Sequence, residues 1–173
     1  MTHLQYSDYF RSLAESHSQI AHSENGGKNS KSFFRTNVFE FDAGLRTVGT
    51  FPCLALEAPT SRLSKNWDAP GEYQNGAFAI WDKCTKNQDA SEEEMVLSRC
   101  KEIGLECIAK MKEDIELARS QNNAMGLLQL NLDAVRIQKV GPYHTLYHGY
   151  RFQFEFYSPL NTNTDNFNGP AQA

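Results

Sequence analysis

The sequence predicts an α+β domain, in which an antiparallel or mixed sheet of about four strands packs one face against a long helix in the carboxyl-terminal half, with a second helix at the amino terminus. Apolar residues recur every three or four positions from Val96 to Ala118, which is typical of a helix with one buried face. Aromatic residues occupy every second position from Tyr150 to Phe156, which is typical of a half-buried strand.

Length and composition predict one domain over residues 1–158 and a flexible tail over 159–173. The chain has 173 residues, of which 40% are hydrophobic, enough for a core without disulfides or metals. Its net charge of −4 argues against nucleic-acid recognition, because phosphate binding needs many Lys and Arg residues. There is no apolar run of the roughly 20 residues that span a bilayer and no signal-peptide pattern, so we expect neither a membrane partner nor secretion.

The first helix is predicted over residues 5–22. Five residues at helical spacing would share one of its faces: Tyr6, Phe10, Leu13, His17 and Ile20. We expect His17 to be a hydrogen-bonded core or interface residue rather than a catalytic base. The polar and glycine residues at 23–30 then predict a mobile connection.

Residues 33–47 fit two structures, and we favour a short helix. Their apolar residues follow helical spacing, but part of the segment also alternates as a strand does. Asn37 and Glu40 have the spacing of a capping pair, in which side chains accept hydrogen bonds from free amides at a helix start.

Two strands are predicted on either side of a long loop. Residues 53–58 form an apolar run bounded by prolines, and residues 76–84 combine buried-type aromatic and aliphatic side chains. The intervening residues 60–75 contain Trp67 and Tyr73. Long ordered loops often carry function, and exposed aromatics often anchor interfaces.

The strongest boundary signal lies at 91–94, where Ser91 and Glu94 match a capping box with extra acid in the first turn. A helix starting there and ending near Ser120 would be roughly 40 Å long at about 1.5 Å per residue. Its predicted buried stripe consists of Val96, Cys100, Ile103, Cys107, Ile108, Met111, Ile115 and Ala118.

The last part of the domain predicts an antiparallel hairpin. Residues 128–140 alternate with a phase change that indicates a bulge near Ala134, and residues 148–156 follow a turn at 141–145. One face of the second strand is aromatic. The other face would meet solvent or a neighbouring subunit through Gly149, Arg151, Gln153, Glu155 and Tyr157.

The four cysteines show no paired spacing and lie in apolar segments, so we expect reduced, buried thiols. A bridge between Cys53 and Cys84 on neighbouring strands is the alternative.

No common catalytic motif is present in the sequence, so we predict no catalytic residue, no cofactor and no metal. The best metal candidate is His144 with His148, joined by Asp133 or Asp82. Four-residue spacing suits two ligands on a helix, whereas a turn intervenes here. A small enzyme or ligand-binding module with a pocket near His144, His148 and Asp82 remains the alternative from a different class.

Several segments together resemble the tail-terminator or tail-completion proteins of tailed phages. The resemblance covers about residues 3 to 158 and is carried by the order of elements and by YFRSLA at 9–14, FPCLALE at 51–57, GAFAIWD at 76–82, VGP at 140–142 and YHGYRF at 147–152. It implies a homo-oligomeric ring, expected to be a hexamer, that terminates the tail tube and joins it to the neck or connector.

The resemblance also implies a location and partners. The protein would be assembled in the host cytoplasm and reside in the virion, in contact with tail-tube and neck proteins and without a cofactor. Another neck or head–tail joining protein is the rival within this class. The candidate assembly interface comprises Trp67, Tyr73, Arg151, Glu155, Tyr157 and Phe167.

The polar composition of the tail generates a first prediction. We expect a chain lacking residues 161–173 to keep its fold but to assemble less, because such a segment gains order mainly through contacts with a partner. Circular dichroism would check the fold and native mass spectrometry the assembly. Unchanged assembly of the shortened chain would count against a role for the tail.

Overall fold

A computed structural model describes residues 1–36, 41–64, 70–85, 89–122, 125 and 128–159. Three helices and six strands lie in these ranges: α1 His3–Ser16, β1 Phe33–Thr36, α2 Phe41–Thr47, β2 Cys53–Glu57, β3 Thr60–Leu63, β4 Gly71–Lys83, α3 Ala90–Ser120, β5 Gln129–Tyr143 and β6 Tyr147–Pro159. A single 3-10 turn at Lys28–Ser30 lies between α1 and β1. Among the described helices, none is both long and apolar enough to cross a membrane.

The strands form one mixed sheet in the order β1-β2-β4-β6-β5, and β3 pairs with the beginning of β4. Only β1 and β2 run parallel, and the other neighbours are antiparallel. The α+β class and the long helix are confirmed. The expectation of about four strands is wrong, because the sheet has six. The two additional strands, β1 and β3, are four residues each, too short for a clear periodicity.

The helix favoured for residues 33–47 is replaced by a strand and a helix. β1 places Phe33 toward the main core and Phe34 into a second cluster on the opposite face of the sheet. Both phenylalanines are thereby buried, which a helix of this segment would not achieve at adjacent positions. The predicted capping pair, Asn37 and Glu40, lies outside the described residues.

The long loop predicted at 60–75 is largely strand. β3 pairs Thr60 to Leu63 with Asn75 to Glu72 of β4, and β4 begins at Gly71 instead of Gly76. Tyr73 is therefore a strand residue. Trp67 belongs to the part of this segment that the structure does not describe.

The first helix ends at Ser16, earlier than predicted. His17 is its carboxyl-terminal cap and has an extended backbone, so the chain leaves the helix before Ile20. Ala21, the next residue after Ile20, has a positive φ of 48°. Ile20 is still buried, and Ser32 donates to the Ile20 carbonyl while its amide donates to His22 Nδ1. The segment predicted to be a mobile connection is thus fastened at both ends by hydrogen bonds.

α1 and α3 cover one face of the sheet, and the main core lies between this helix layer and the sheet. Phe10 of α1 stacks on Phe154 with ring centroids 5.5 Å apart, and Phe78 stacks on Phe152 at 5.2 Å. The predicted buried stripe of α3 is confirmed at every position. Burial of these rings from water is the main source of stability for the two layers.

The start of α3 differs in detail from the prediction. The cap residue is Asp89, whose carboxylate accepts hydrogen bonds from the amides of Ser91 and Glu92. Ser91 lies within the first turn instead. Asp and Ser accept hydrogen bonds from the free amides of a helix start about equally well, so the residue types alone do not decide whether Asp89 or Ser91 is the cap.

The carboxyl-terminal hairpin is confirmed. β5 and β6 are antiparallel, and the register shifts between Asn131 and Arg136, which places the predicted bulge around Ala134. Phe152, Phe154 and Phe156 point into the core and are at most 1% exposed. The tail predicted to begin at 159 has its first residue, Pro159, inside β6, and its other residues lie beyond the described part of the chain.

The closest packing between the layers generates a second prediction. Gly104 of α3 lies so near the Phe152 ring that an added methyl group would overlap it. Gly104→Ala should therefore destabilise the fold by about 1–3 kcal/mol, even though alanine is the better helix former. Urea denaturation measures this loss.

A double variant separates the clash from other effects. Phe152→Leu in the Gly104→Ala background should recover part of the lost stability, so the two changes should be less than additive. A Gly104→Ala chain that is more stable than wild type would show that the helix and sheet can separate without loss.

Candidate functional site

The second face of the sheet is covered at one end only. There α2 and its flanking residues bury Phe34, Leu45 and Val48 against Ala55 and Trp81. At the other end, polar and aromatic side chains line a surface over which no helix of the described ranges packs. We call this surface the open face, and it consists of Glu57, Arg62, Tyr73, Arg151, Gln153, Glu155 and Tyr157.

Strand register explains why these residues meet. Successive side chains of a strand alternate between faces, and the three phenylalanines of β6 take the core face. Arg151, Glu155 and Tyr157 consequently point the other way. Tyr73 is the direct cross-strand partner of both Tyr157 and Arg62.

An arginine–carboxylate pair lies at the centre of the open face. Arg151 donates from Nε to Glu57 Oε1 and from NH2 to Glu57 Oε2, the latter at 2.8 Å, and NH1 donates to Gln153 at 3.3 Å. The hydrogen bonds that Arg151 donates to Glu57 raise the pKa of Arg151. This two-pronged geometry holds both side chains in one orientation.

A second group lies nearer the end of the strands. Arg62 NH2 donates to Glu155 Oε2 at 3.1 Å, and the Arg62 guanidinium lies 4.2 Å from the centre of the Tyr73 ring. The rings of Tyr73 and Tyr157 are 5.0 Å apart. The Glu155 side chain is only 15% exposed, so its charge is shielded by these neighbours.

Four of the six predicted interface residues therefore share one surface: Tyr73, Arg151, Glu155 and Tyr157. The remaining two, Trp67 and Phe167, are not among the described residues. Glu57 and Arg62 were missed by the sequence analysis. The four residues of β3, Thr60–Leu63, are all exposed and too few for a period, so the sequence gives no signal for the strand that carries Arg62. Its partner Glu155 is 93 positions away.

The predicted cluster of His144 and His148 does not form. His144 is exposed in the hairpin turn, where Nε2 lies 3.1 Å from Asp42 of α2, and Tyr143 donates to the same carboxylate. These hydrogen bonds lower the pKa of Asp42. His148 is buried on the helix side of the sheet. Within the described ranges, no group of three potential metal ligands is close enough to hold an ion.

His148 lies instead in a polar cluster beneath the start of α3. Its direct cross-strand partner is Asp82, and its Nδ1 lies 3.4 Å from Glu93, which also binds Lys139 at 2.7 Å. Asp82 is 4% exposed and lies 2.6 Å from Arg99. Burial raises the pKa of Asp82, whereas the hydrogen bond from Lys139 lowers the pKa of Glu93.

The cysteines are free and buried, as expected, and Cys53 is not bridged to Cys84. Burial raises the pKa of all four thiols. Cys100 donates weakly to the His148 carbonyl at 3.8 Å. A protonated thiol is a poor nucleophile, so these residues serve as small core side chains.

His17 also has a structural contact. Its Nε2 lies 2.8 Å from Glu106 of α3, so the residue joins the end of α1 to the long helix. Comparison with known proteins adds no relative to this picture: no family model matches the chain, and neither does any curated protein.

The buried Asp82 generates a third prediction. Because its folded pKa is raised, the folded chain retains a proton that the unfolded chain releases near pH 4. Stability from this group is therefore full below about pH 4 and is lost as the pH rises through the folded pKa. Asp82→Asn should remove this loss, so the variant should gain stability relative to wild type between about pH 3 and pH 7.

Urea denaturation at a series of pH values measures the difference, and the exposed Asp133→Asn provides the matched control. Arg99 is about half exposed and can be solvated when its partner is neutral. A variant that instead loses stability as the pH rises would mean that the ion pair with Arg99 outweighs the burial of Asp82.

Proposed function

We propose that this protein is a structural subunit of a phage-like tail, which forms a ring that terminates the tail tube and joins it to the neck. The observation that carries the proposal is the open face, a preorganised surface of Arg and Tyr side chains on a rigid sheet. Arg and Tyr are the residue types, with Trp, that most often dominate the energy of protein interfaces.

The side chains of the open face are held in fixed orientations, and this favours a surface that binds another protein. Arg151 and Arg62 are already held by Glu57 and Glu155, so little side-chain freedom remains to be lost on binding. Each charge also brings its counter-charge into the interface, which reduces the cost of removing it from water. The two tyrosines supply apolar area with hydroxyl groups at the rim.

The one-sided helix layer is compatible with a ring. Helices cover one face of the sheet, so the open face and the outer surface of α3 lie on opposite sides of the domain. A contact between two different surfaces is heterologous, and it generates a closed ring when the rotation between neighbours closes. A hexamer in contact with tail-tube and neck proteins, within the virion, is the assembly that we propose.

The fourth prediction tests the open face. Glu155→Arg would place two positive charges together beside Tyr73, so ring formation should require at least about tenfold more protein, equivalent to about 1.4 kcal/mol per contact. The monomer should unfold at a lower temperature than wild type, because Glu155 is only 15% exposed and the substitution leaves two cations together. Ring formation is therefore compared at temperatures at which circular dichroism shows both chains folded. Native mass spectrometry and negative-stain electron microscopy would measure the rings.

Glu15→Arg is the control, because it makes the same charge change at an exposed position of α1, outside both the open face and α3. Equal effects of the two variants would mean that net charge governs assembly. A wild-type chain that remains monomeric at high concentration, both alone and with purified tail tubes, would overturn the proposed function.

A further inference from the structure

A groove lies on the helix side of the sheet, between the last turns of α3 and the beginning of β5. Its volume is about 570 Å³. Ile115, Leu130 and Leu132 provide an apolar floor and wall, and Pro159 lies at its edge. Its charged side chains are two cations, Lys112 and Arg119, and one carboxylate, Glu116. A groove of this size accommodates a few side chains of an extended peptide.

We propose that this groove binds the carboxyl-terminal segment of the same chain, residues 160–173. The place where the described chain ends supports this occupant. Pro159, the last residue of β6, itself lines the groove, so the segment begins at the site. Fourteen residues reach at most about 46 Å when extended, so the segment is long enough to enter a groove that starts at Pro159.

Tethering also favours this occupant over a separate molecule. A short flexible connection gives the attached segment an effective concentration on the order of millimolar at its site. Even a weak contact is therefore largely occupied within one chain. A separate peptide that makes the same contacts would need a concentration on the order of millimolar to occupy the groove to the same extent.

The chemistry of the segment complements the groove. Its large apolar side chains are Leu160 and Phe167, and its one charged side chain is Asp165. The apolar pair can pack on Leu130 and Leu132, because Leu132 is 46% exposed and so is accessible to another side chain. Lys112 lies 3.8 Å from Glu116, so Asp165 would supply the second carboxylate for the two cations that line the groove.

This contact has a consequence that rests on the proposed function. The groove and the tyrosines of the open face lie at the same end of the sheet, where Gly71 pairs with Pro159 and Gln129 with Tyr157. A segment held in the groove would extend the assembly surface around this end. Its ordering would be complete before a neighbour docks, which lowers the entropic cost of assembly.

Photocrosslinking in the full-length chain tests the proposal. With p-benzoylphenylalanine in place of Phe167, irradiation of dilute protein should give crosslinks within one chain to α3 near Ile115 or to β5 near Leu132. Leu132→Gln should lower their yield at least about threefold, through loss of apolar contact. Leu117→Gln is the matched control, since Leu117 is 54% exposed on α3 and does not line the groove.

The outcomes are distinct. Crosslinks elsewhere, or a yield that responds equally to both substitutions, would overturn the proposal. Crosslinks that join isotopically labelled to unlabelled chains would assign the groove to a neighbour's segment and would also overturn it. Because dilute protein is used, ring formation is scored separately, so loss of rings with intact crosslinks would contradict only the proposed function.

Discussion

The antiparallel pairing of β4 with β6 is the constraint on which the rest of this structure depends. The two strands align over thirteen residues each, from Gly71 opposite Pro159 to Lys83 opposite Tyr147. Side chains alternate along both strands, so this one register decides which residues enter the core. A slip by a single residue would turn the β6 phenylalanines to the opposite face and bring the Arg151 charge beneath α3.

Three consequences follow from that register. The phenylalanines of β4 and β6 form one apolar surface that both α1 and α3 cover, which fixes the helices on a single side. The other side keeps an apolar part only where α2 packs. Beyond α2 the charged and aromatic side chains must satisfy one another, and the pairs of Arg151 with Glu57 and of Arg62 with Glu155 do so. The open face is thus a product of one-sided packing.

Long helices and strands with a clear period could be predicted from the sequence. Four-residue strands and contacts between residues far apart in the chain could not. The buried stripe of α3, the bulge in β5 and the outward face of β6 extend over many residues, so their periods are unambiguous. β1 and β3 are four residues each and have no measurable period. The pair of Arg151 with Glu57 joins positions 94 apart, and only the strand order brings them together. The same limit applies to His144 and His148, which are close in sequence but end on opposite sides of the sheet.

The two ends of the sheet differ in the contacts that their side chains make. At one end, Asp42 of α2 binds both Tyr143 and His144 of the hairpin, and the cluster of Asp82, Glu93 and His148 holds the beginning of α3. In both groups of residues, carboxylates contact side chains of another secondary-structure element and so hold the two elements together. At the opposite end, β3 and β6 end and β4 and β5 begin. Loops carried by a rigid scaffold are where proteins most often place their contacts with partners. The open face and the groove both lie at this second end, because the register that aligns Gly71 with Pro159 also brings Tyr73 and Tyr157 there.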